Sequence, residues 1–330
     1  MKATMKDVAA LANVGLGTVS RVINGVKVKD VTREKVEAAI AELNYEPNEY
    51  ARGLKTNRTN TVALILPTIW HPFFSEYAYY VETELTKSNY KMLLCNADDD
   101  LAKERDYIQM VKQNKVDGLI AITYSDIDPF VSADLPIVSI DRHFTEDVCY
   151  VTSNNFAGGQ LAAKELITRG SKKIGFIGSI SAHHNETTKR LSGFKEYCEG
   201  NAIDYAVLEM IEPINDFEQQ VTDFFTANPS LDGLFVMNDL MAVDVIDYLM
   251  LETNQKIGET IQIIGFDGAS LVKGRSKLLS TIAQPVQELA KVSVKNILKL
   301  ISGEEVIKRS VLPVTFHEGK TTFEKMIKKD

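Results

Sequence analysis

The sequence predicts an α/β fold preceded by a small helical head, and three observations support this prediction. In the first 60 of the 330 residues, apolar side chains recur at helical spacing. From Thr61 onward, short apolar runs alternate with longer amphipathic segments, which is typical of parallel sheets covered by helices. Two similar runs, VDGLIAI at 116–122 and LDGLFVM at 231–237, indicate that this part consists of two halves built alike.

The stretch KDVAALANVGLGTVSRVIN, residues 6–24, contains two short amphipathic patterns. Apolar residues recur at positions i, i+3 and i+4 in two groups, namely Val8, Leu11 and Ala12, then Val19, Val22 and Ile23. Between the groups, Asn13-Val14-Gly15 interrupts the period, and Asn and Gly both tolerate a left-handed backbone. Two helices joined by a turn of this length predict a helix-turn-helix, with the second helix running from about Leu16 to Asn24.

The polar face of the second helix carries side chains of a size that fits a DNA groove. These residues are Gly17, Thr18, Ser20, Arg21 and Asn24. The charge distribution agrees, because residues 1–60 hold ten Lys/Arg against seven Asp/Glu, whereas the remainder has a net charge of −11. A basic head on an acidic body is expected when only the head meets phosphate. The alternative is an ordinary helical hairpin with a solvated face.

Two further helices are predicted before the α/β part begins. Residues 31–43 form an amphipathic pattern, and Asp30 is its predicted N-cap. Pro47 separates this helix from a short one at 49–55, which contains Gly53. A helix of that length is marginal in water, so we expect it to form only with a partner.

The remaining chain predicts two doubly wound parallel sheets with a cleft between them. The predicted strands are 61–66, 92–95, 118–122, 137–140, 173–177, 206–210, 233–236 and 261–265. The predicted helices are 74–88, 102–114, 158–169, 190–200, 218–228 and 241–251. In such sheets, ligands bind beyond the carboxyl ends of the strands.

Polar and aromatic residues lie where several of these strands end. Trp70 and Phe73 follow the first strand, and aromatic rings suit the apolar faces of a sugar or a base. Two carboxylates and an arginine can hold vicinal hydroxyls by charge-assisted hydrogen bonds, and the candidates are Asp141, Arg190 and Asp267, with Asn238 nearby. In the structural alternative, the aromatic residues pack at a helix start, Phe74 above all, and Asn238 or Asp239, more so Asp239, caps the next helix.

Over nearly its whole length, the sequence resembles the lactose-repressor (LacI) family of transcription regulators. The resemblance rests on KDVA, TVSRVING, TREKVEAAIAELNYEPNEYARGL, NDLMA and IIGFD. It implies a helix-turn-helix head at 1–47, a hinge helix and linker at 48–60, and an effector-binding and dimerisation body at 61–330. The body is expected to resemble periplasmic sugar-binding proteins, with a late helix at 284–303 that crosses back to the first half.

The resemblance also implies roles for individual residues. In the hinge helix, Leu54 would be an apolar wedge in the minor groove, with Ala51 as its close-packing neighbour. The residues expected to contact DNA are Thr4, Leu16, Gly17, Thr18, Ser20, Arg21, Asn24, Ala51, Leu54 and Lys55. Those expected near the ligand are Trp70, Phe73, Asp141, Arg190, Asn238 and Asp267.

The expected function is that of a cytoplasmic, dimeric repressor of a carbohydrate operon, which releases a pseudo-palindromic operator when a sugar binds. The sequence contains no recognised enzyme motif, cofactor loop, metal-ligand spacing, signal peptide or membrane-spanning run. The three widely spaced cysteines suggest reduced core thiols, and the absence of leucine heptads at the C-terminus favours a dimer. Three alternatives stay open: a purine co-repressor, a phosphoprotein partner, or a sugar-binding module without a DNA role.

Overall fold

The computed structural model describes residues 3–46, 58–98, 100–145, 147–181, 185–253, 255–268 and 278–323. The chain divides into two compact units, Met1–Thr59 and Asn60–Asp330. The predicted hinge helix, with Ala51, Leu54 and Lys55, lies outside the described residues. None of the helices within the described ranges is long and apolar enough to cross a membrane.

The first unit contains three helices: α1 (Met5–Leu11), α2 (Leu16–Ile23) and α3 (Asp30–Glu42). Asn13 has φ of 50°, which makes the tight turn that the sequence predicts between α1 and α2. Val8, Val19 and Val36, one from each helix, are fully buried and form the centre of a small core. Leu11 differs from expectation, because it is 44% exposed while Ala9 packs inward beside Val8.

The ends of these helices differ in how they are capped. Thr4 and Asp7 form a capping box at the start of α1, in which each side chain accepts a hydrogen bond from the other's backbone N–H. The prediction that Asp30 caps α3 is wrong, because Asp30 is the first helical residue and Lys29 occupies the cap position without a side-chain bond. The Asp30 carboxylate still lies in the first turn, where negative charge favours the helix dipole.

The second unit holds twelve strands and seven long helices among the described residues. The strands are β1 (Thr61–Leu66), β2 (Lys91–Asn96), β3 (Gly118–Ile122), β4 (Ile137–Ile140), β5 (Cys149–Ser153), β6 (Ile174–Ile180), β7 (Tyr205–Ile211), β8 (Gly233–Val236), β9 (Gln262–Asp267), β10 (Ser280–Ala283), β11 (Arg309–Leu312) and β12 (Thr315–His317). The helices are α4 (Pro72–Lys87), α5 (Leu101–Lys112), α6 (Asn155–Thr168), α7 (Lys189–Gly200), α8 (Phe217–Ala227), α9 (Asp239–Glu252) and α10 (Val286–Ile301).

The strands form two sheets, as the sequence predicts, and each has six strands. The first sheet has the order β11-β5-β4-β3-β1-β2 and is parallel throughout. The second has the order β12-β10-β9-β8-β6-β7, and only the short β12 runs antiparallel to its neighbour. Each sheet is covered by helices on both faces, which gives four buried apolar clusters in this unit.

The chain passes between the two sheets three times, and these passages define two halves. The first passage follows β5 at Asn154, the second follows β10 at Gln284, and the third lies between β11 and β12. Helix α10 lies on the first sheet, where Leu289 and Ile297 join its buried cluster, so the predicted return of the late helix is confirmed.

Four strands were not predicted from the sequence: β5, β10, β11 and β12. Three of them have three or four residues and begin with a polar or charged residue, so no apolar run marks them. The three cysteines, Cys95, Cys149 and Cys198, are buried and free, as expected.

Candidate functional site

A cavity of about 150 Å³ lies between the two halves, at the carboxyl ends of strands from both sheets. Its walls combine aromatic, amide, hydroxyl and charged side chains. They comprise His71, Phe73, Phe74, Tyr124 and Asp141 from the first half, and Ser179, Ser181, Asn185, Thr187, Arg190, Glu212, Met237, Asn238, Asp267 and Gln284 from the second. The position agrees with the rule that ligands of doubly wound sheets bind at these strand ends.

Arg190, near the start of α7, is the centre of the polar wall and is only 3% exposed. Its Nε donates to Oδ1 of Asn155 at 2.8 Å, and its Nη1 donates to the carbonyl oxygen of Met237 at 2.7 Å. The guanidinium lies 3.7 Å from the centre of the Phe266 ring, and Nη1 lies 3.5 Å from Oδ1 of Asp267. These contacts fix the plane of the guanidinium before any ligand arrives.

Asp267 ends β9 with a φ of 116°, which a non-glycine residue rarely adopts. Its Oδ1 accepts a hydrogen bond from Nε2 of Gln284 at 2.8 Å, and its backbone carbonyl accepts one from the Gln284 amide at 3.0 Å. Oδ2 of Asp267 lies 4.0 Å from Nε2 of His71, which belongs to the first half. The strained backbone therefore aims the carboxylate into the cavity, and strain of this kind is concentrated at functional sites.

Asp141 is the corresponding carboxylate of the first half, and it also has a left-handed backbone, with φ of 55°. Its Oδ1 accepts a short hydrogen bond from the hydroxyl of Thr152 on β5. That hydroxyl accepts in turn from Nδ2 of Asn155 at 3.2 Å. Because Asn155 also accepts from Arg190, one chain of hydrogen bonds connects the acid of one half to the arginine of the other.

The three charged residues each leave one polar atom for a ligand. Within the described residues, no hydrogen bond is made by Nη2 of Arg190, Oδ2 of Asp141 or Oδ2 of Asp267. The cavity thus offers the guanidinium as a donor and two carboxyl groups as hydrogen-bonding partners beside the rings of Phe73 and Phe74. A ligand that carries several hydroxyls on a compact ring matches this arrangement.

Burial shifts the pKa values of several groups around the cavity. It raises the pKa of Asp141 and of Asp267, and the nearby Arg190 opposes the shift in both. Burial lowers the pKa of His71, against the pull of Asp267, so the imidazole is held in its neutral form. The pKa of Tyr124 is raised by burial, which keeps its hydroxyl a hydrogen-bond donor.

The structure brings together most of the residues that the sequence singles out for the ligand. Phe73, Asp141, Arg190, Asn238 and Asp267 all line the cavity. Trp70 does not line the cavity. It precedes α4 and is 89% exposed, so it does not pack in the apolar cluster beneath that helix. Its role at the ligand stays a prediction that this conformation does not support.

The structure decides the two structural alternatives for Phe74 and for the cap of α9. Phe74 packs in the apolar cluster, as expected, but it also lines the cavity. The cap of α9 is Asn238, whose side chain accepts from the Met241 amide at 2.8 Å, so the preference for Asp239 as the cap is wrong. Asp239 is buried and accepts from the Thr281 hydroxyl at 2.6 Å.

Several residues that line the cavity are not among those predicted from the sequence, above all His71, Tyr124, Glu212 and Gln284. His71 and Tyr124 also follow strands, so the strand-end signal that indicated Asp141 was available for them. Gln284 follows β10, a strand that was not predicted, and therefore had no visible context. Nδ1 of His71 and Oε1 of Gln284 are buried without a partner among the described residues, which marks both as groups that a ligand can satisfy.

In the first unit, the residues proposed to read DNA lie on the accessible side of α2. Leu16, Gly17, Arg21 and Asn24 are exposed, and Thr18 and Ser20 are half-buried. Nothing lies within 4 Å of where a side chain at Gly17 would begin, so the surface is open there. Thr4 is exposed, and its hydroxyl donates to Asp7 at 2.7 Å.

Comparisons with known proteins extend these observations. Residues 4–48 match the model of bacterial regulatory proteins of the lacI family. Residues 59–320 match the model of periplasmic binding proteins and the sugar binding domain of the LacI family. Together, the two models cover nearly the whole chain.

Curated relatives match along the full length. The ribose operon repressor of Bacillus subtilis (strain 168) is 35% identical, over 97% of this chain and 98% of its own. The sucrose operon repressor of Streptococcus mutans is 34% identical, over 97% of this chain and 100% of its own.

Solved structures share the fold. A periplasmic binding protein/LacI transcriptional regulator from Alkaliphilus metalliredigens, complexed with D-xylulofuranose, is 28% identical, has a TM-score of 0.69, and matches 80% of this chain and 99% of its own. The lac repressor dimer bound to operator and an anti-inducer is 23% identical, has a TM-score of 0.82, and matches 98% of this chain and 100% of its own. From the two family models and these relatives, the chain belongs to the LacI family of bacterial regulatory proteins.

Proposed function

We propose that the protein is a dimeric repressor of a carbohydrate-utilisation operon, and that a small sugar bound in the cavity releases it from operator DNA. The observation that supports a sugar as the ligand is the arrangement of charged groups in the cavity. Arg190 is paired with Asp267, and Asp141 lines the same cavity. Charged donors and acceptors so placed bind vicinal hydroxyls strongly, and the phenyl rings cover the apolar face of a sugar.

The size of the cavity supports a single-ring ligand. A volume of about 150 Å³ accommodates one six-membered ring. The two curated relatives described above are named as repressors of a ribose operon and of a sucrose operon, which agrees with a sugar as the ligand. The ligand is bound and released unchanged, because the proposed role needs no catalytic step.

The DNA site is proposed for the helix-turn-helix head. Leu16 would contact a thymine methyl and Arg21 a guanine edge, while Thr18, Ser20 and Asn24 add polar contacts and Thr4 a contact near the start of α1. Two heads would read the two half-sites of a pseudo-palindrome in the cytoplasm. Ala51, Leu54 and Lys55 of the hinge segment are proposed to enter the minor groove between them.

Exposed apolar residues support the homodimer. In the first half, Tyr79, Leu93 and Leu94 are 41–53% exposed, and the last two lie on β2 at the sheet edge. In the second half, Met250, Leu251 and Leu278 are 66–80% exposed. An edge strand that exposes two leucines is open to contact with another chain, here a second copy of this one.

The test is a thermal-shift and calorimetric screen of the full chain against monosaccharides, disaccharides, nucleobases and phosphorylated sugars. We expect saturable binding of a free sugar, with the sugar recovered unchanged after prolonged incubation. The bound sugar should also release a labelled DNA fragment that the full chain has selected from a random-sequence library. Binding of a nucleobase alone, chemical conversion of the sugar, or tighter DNA binding in its presence would each overturn a part of this proposal.

A further inference from the structure

Asn155 occupies a position between the ligand-facing arginine and the first passage between the two halves. It is the first residue of α6 and directly follows that passage, and it is 1% exposed. Its carbonyl oxygen Oδ1 accepts from Nε of Arg190 at 2.8 Å. Its amide nitrogen Nδ2 donates to the Thr152 hydroxyl at 3.2 Å and to the Ser153 carbonyl at 3.1 Å.

The two ends of the Asn155 amide therefore face different halves. Arg190 belongs to the second half and points into the cavity, whereas Thr152 belongs to β5 of the first half and donates to Asp141. Among the described residues, this is the continuous side-chain path of hydrogen bonds from Arg190 to Asp141. Buried networks of this kind polarise their members and have few alternative arrangements, so a shift at one end is felt at the other.

Helices α6 and α7, which hold Asn155 and Arg190, pack with their backbones in direct contact. A Cβ atom added to Gly159 would lie 1.9 Å from the carbonyl oxygen of Arg190. A Cβ atom added to Gly193 would lie 1.9 Å from the carbonyl oxygen of Phe156. The two backbones are thus in direct contact at both crossing points, so a displacement of Arg190 carries the start of α6 with it.

We propose that Asn155 is a positioning residue that transmits the state of Arg190 to the first half. The proposal rests on the proposed function and names the contact through which that function is regulated. A ligand that accepts a hydrogen bond from Nη2 of Arg190 repositions the guanidinium. Asn155 moves with it, because its Oδ1 is bonded to Nε of Arg190. The bond from Nδ2 of Asn155 then shifts the Thr152 hydroxyl, and with it Asp141. The passage at 153–155 is the element through which the coupling would run, because the Asn155 amide bonds to both sides of it.

The first test measures coupling, which a merely structural role would not alter. Sugar affinity is measured with and without operator for wild type, Asn155→Ala, Thr152→Val and the double variant. We expect the ratio of the two affinities, typically about 5- to 150-fold in allosteric proteins, to fall toward one in both single variants. The double variant should lose no more than either single variant, because both changes interrupt the same path.

Asn154→Ala is the matched control. Asn154 is adjacent, carries the same side chain, and caps α6 by accepting from the Ala157 amide at 3.0 Å. Its loss should lower the unfolding temperature while the affinity ratio stays at the wild-type value. An unchanged ratio in Asn155→Ala, or an equal loss in Asn154→Ala, would overturn the assignment.

A second test needs no sugar, so its outcome is independent of the proposed ligand class. Amide hydrogen exchange of residues 137–153 is compared between wild type and Arg190→Lys, and again with Asn155→Ala in both. We expect Arg190→Lys to change exchange in this segment by several-fold, and to change it no further when Asn155→Ala is present. Equal responses in the two backgrounds would refute the transmission through Asn155, even if sugars bind as proposed.

Discussion

At the scale of single residues, the site depends on the buried pair of Arg190 and Asp267, with 3.5 Å between their nearest charged atoms. We expect Arg190→Ala to abolish the sugar response and to cost about 3–5 kcal/mol of stability, because it leaves a buried carboxylate without its cation. Arg190→Lys keeps the charge but loses the planar fork, so it should retain more stability and still lose the response. Urea unfolding, a sugar thermal shift and a gel shift separate these effects. A wild-type sugar shift in both variants would place the ligand elsewhere.

His71 makes stability depend on pH through its lowered pKa. In the folded protein the imidazole stays neutral to a lower pH than in the unfolded chain, where it takes up a proton below about pH 6.5. Stability is therefore lost as the pH falls from about 6.5 toward the folded pKa, by at most about 1.4 kcal/mol per pH unit. We expect His71→Gln to show a smaller loss than wild type between pH 7.5 and 5.5 in chemical denaturation. The raised pKa values of Asp141 and Asp267 act in the opposite direction in both proteins, and parallel pH profiles would contradict this role of His71.

Arg21 is the long cation among the exposed residues of α2 that we propose to read DNA. Arg21→Ala should weaken operator binding by about 1–3 kcal/mol and relax the preference at one base pair in each half-site. The measurement is a gel shift at matched salt on the operator and on its single-base variants. If wild type and variant bind all of these fragments equally well, Arg21 does not read a base.

At the scale of elements, the contact between α6 and α7 gives a sharp contrast between glycines. Gly159 meets the carbonyl oxygen of Arg190 across the helix interface, whereas nothing lies within 4 Å of an added Cβ at Gly200, in the last turn of α7. We expect Gly159→Ala to destabilise the protein by about 1–3 kcal/mol or more, since the helices must separate. Gly200→Ala is the control, and it should change the free energy of unfolding by less than about 1 kcal/mol. Similar unfolding free energies for the two variants would show that the interface relaxes freely.

The same elements explain what the sequence could and could not predict. Asp141 and Asp267 could be found because each comes where a run that begins with apolar residues stops, IVSI before Asp141 and IIGF before Asp267. Asn155 and Gln284 could not, because their positions become meaningful only when β5 and β10 join the sheets and place the passages beside the cavity. Trp70 is the opposite case, since an aromatic residue after a strand predicts a cleft wall, but Trp70 precedes α4 and is 89% exposed, so its role at the ligand stays a prediction.

At the scale of the whole molecule, ligand and operator should be linked in both directions. A sugar held by Asp141 and Arg190 contacts both halves, so its binding energy can favour one angle between them over another. If that angle disfavours the arrangement that holds the two heads on DNA, the sugar acts as an inducer. Reciprocity then requires that operator weaken sugar binding by the same factor by which sugar weakens operator binding, with a typical coupling of about 1–3 kcal/mol.

Calorimetric titration of the sugar into the free dimer and into its complex with a saturating operator fragment measures this factor. We expect weaker sugar binding in the complex, and an equal factor when operator is titrated with and without saturating sugar. The control for non-specific phosphate contacts is a DNA fragment of the same length with a scrambled operator sequence, measured at the same salt concentration. Tighter sugar binding on operator would identify a co-repressor, because the ligand would then favour the DNA-bound angle. Equal affinities with and without operator would refute coupling between the halves and the heads. A ligand that binds two states equally well cannot shift the equilibrium between them.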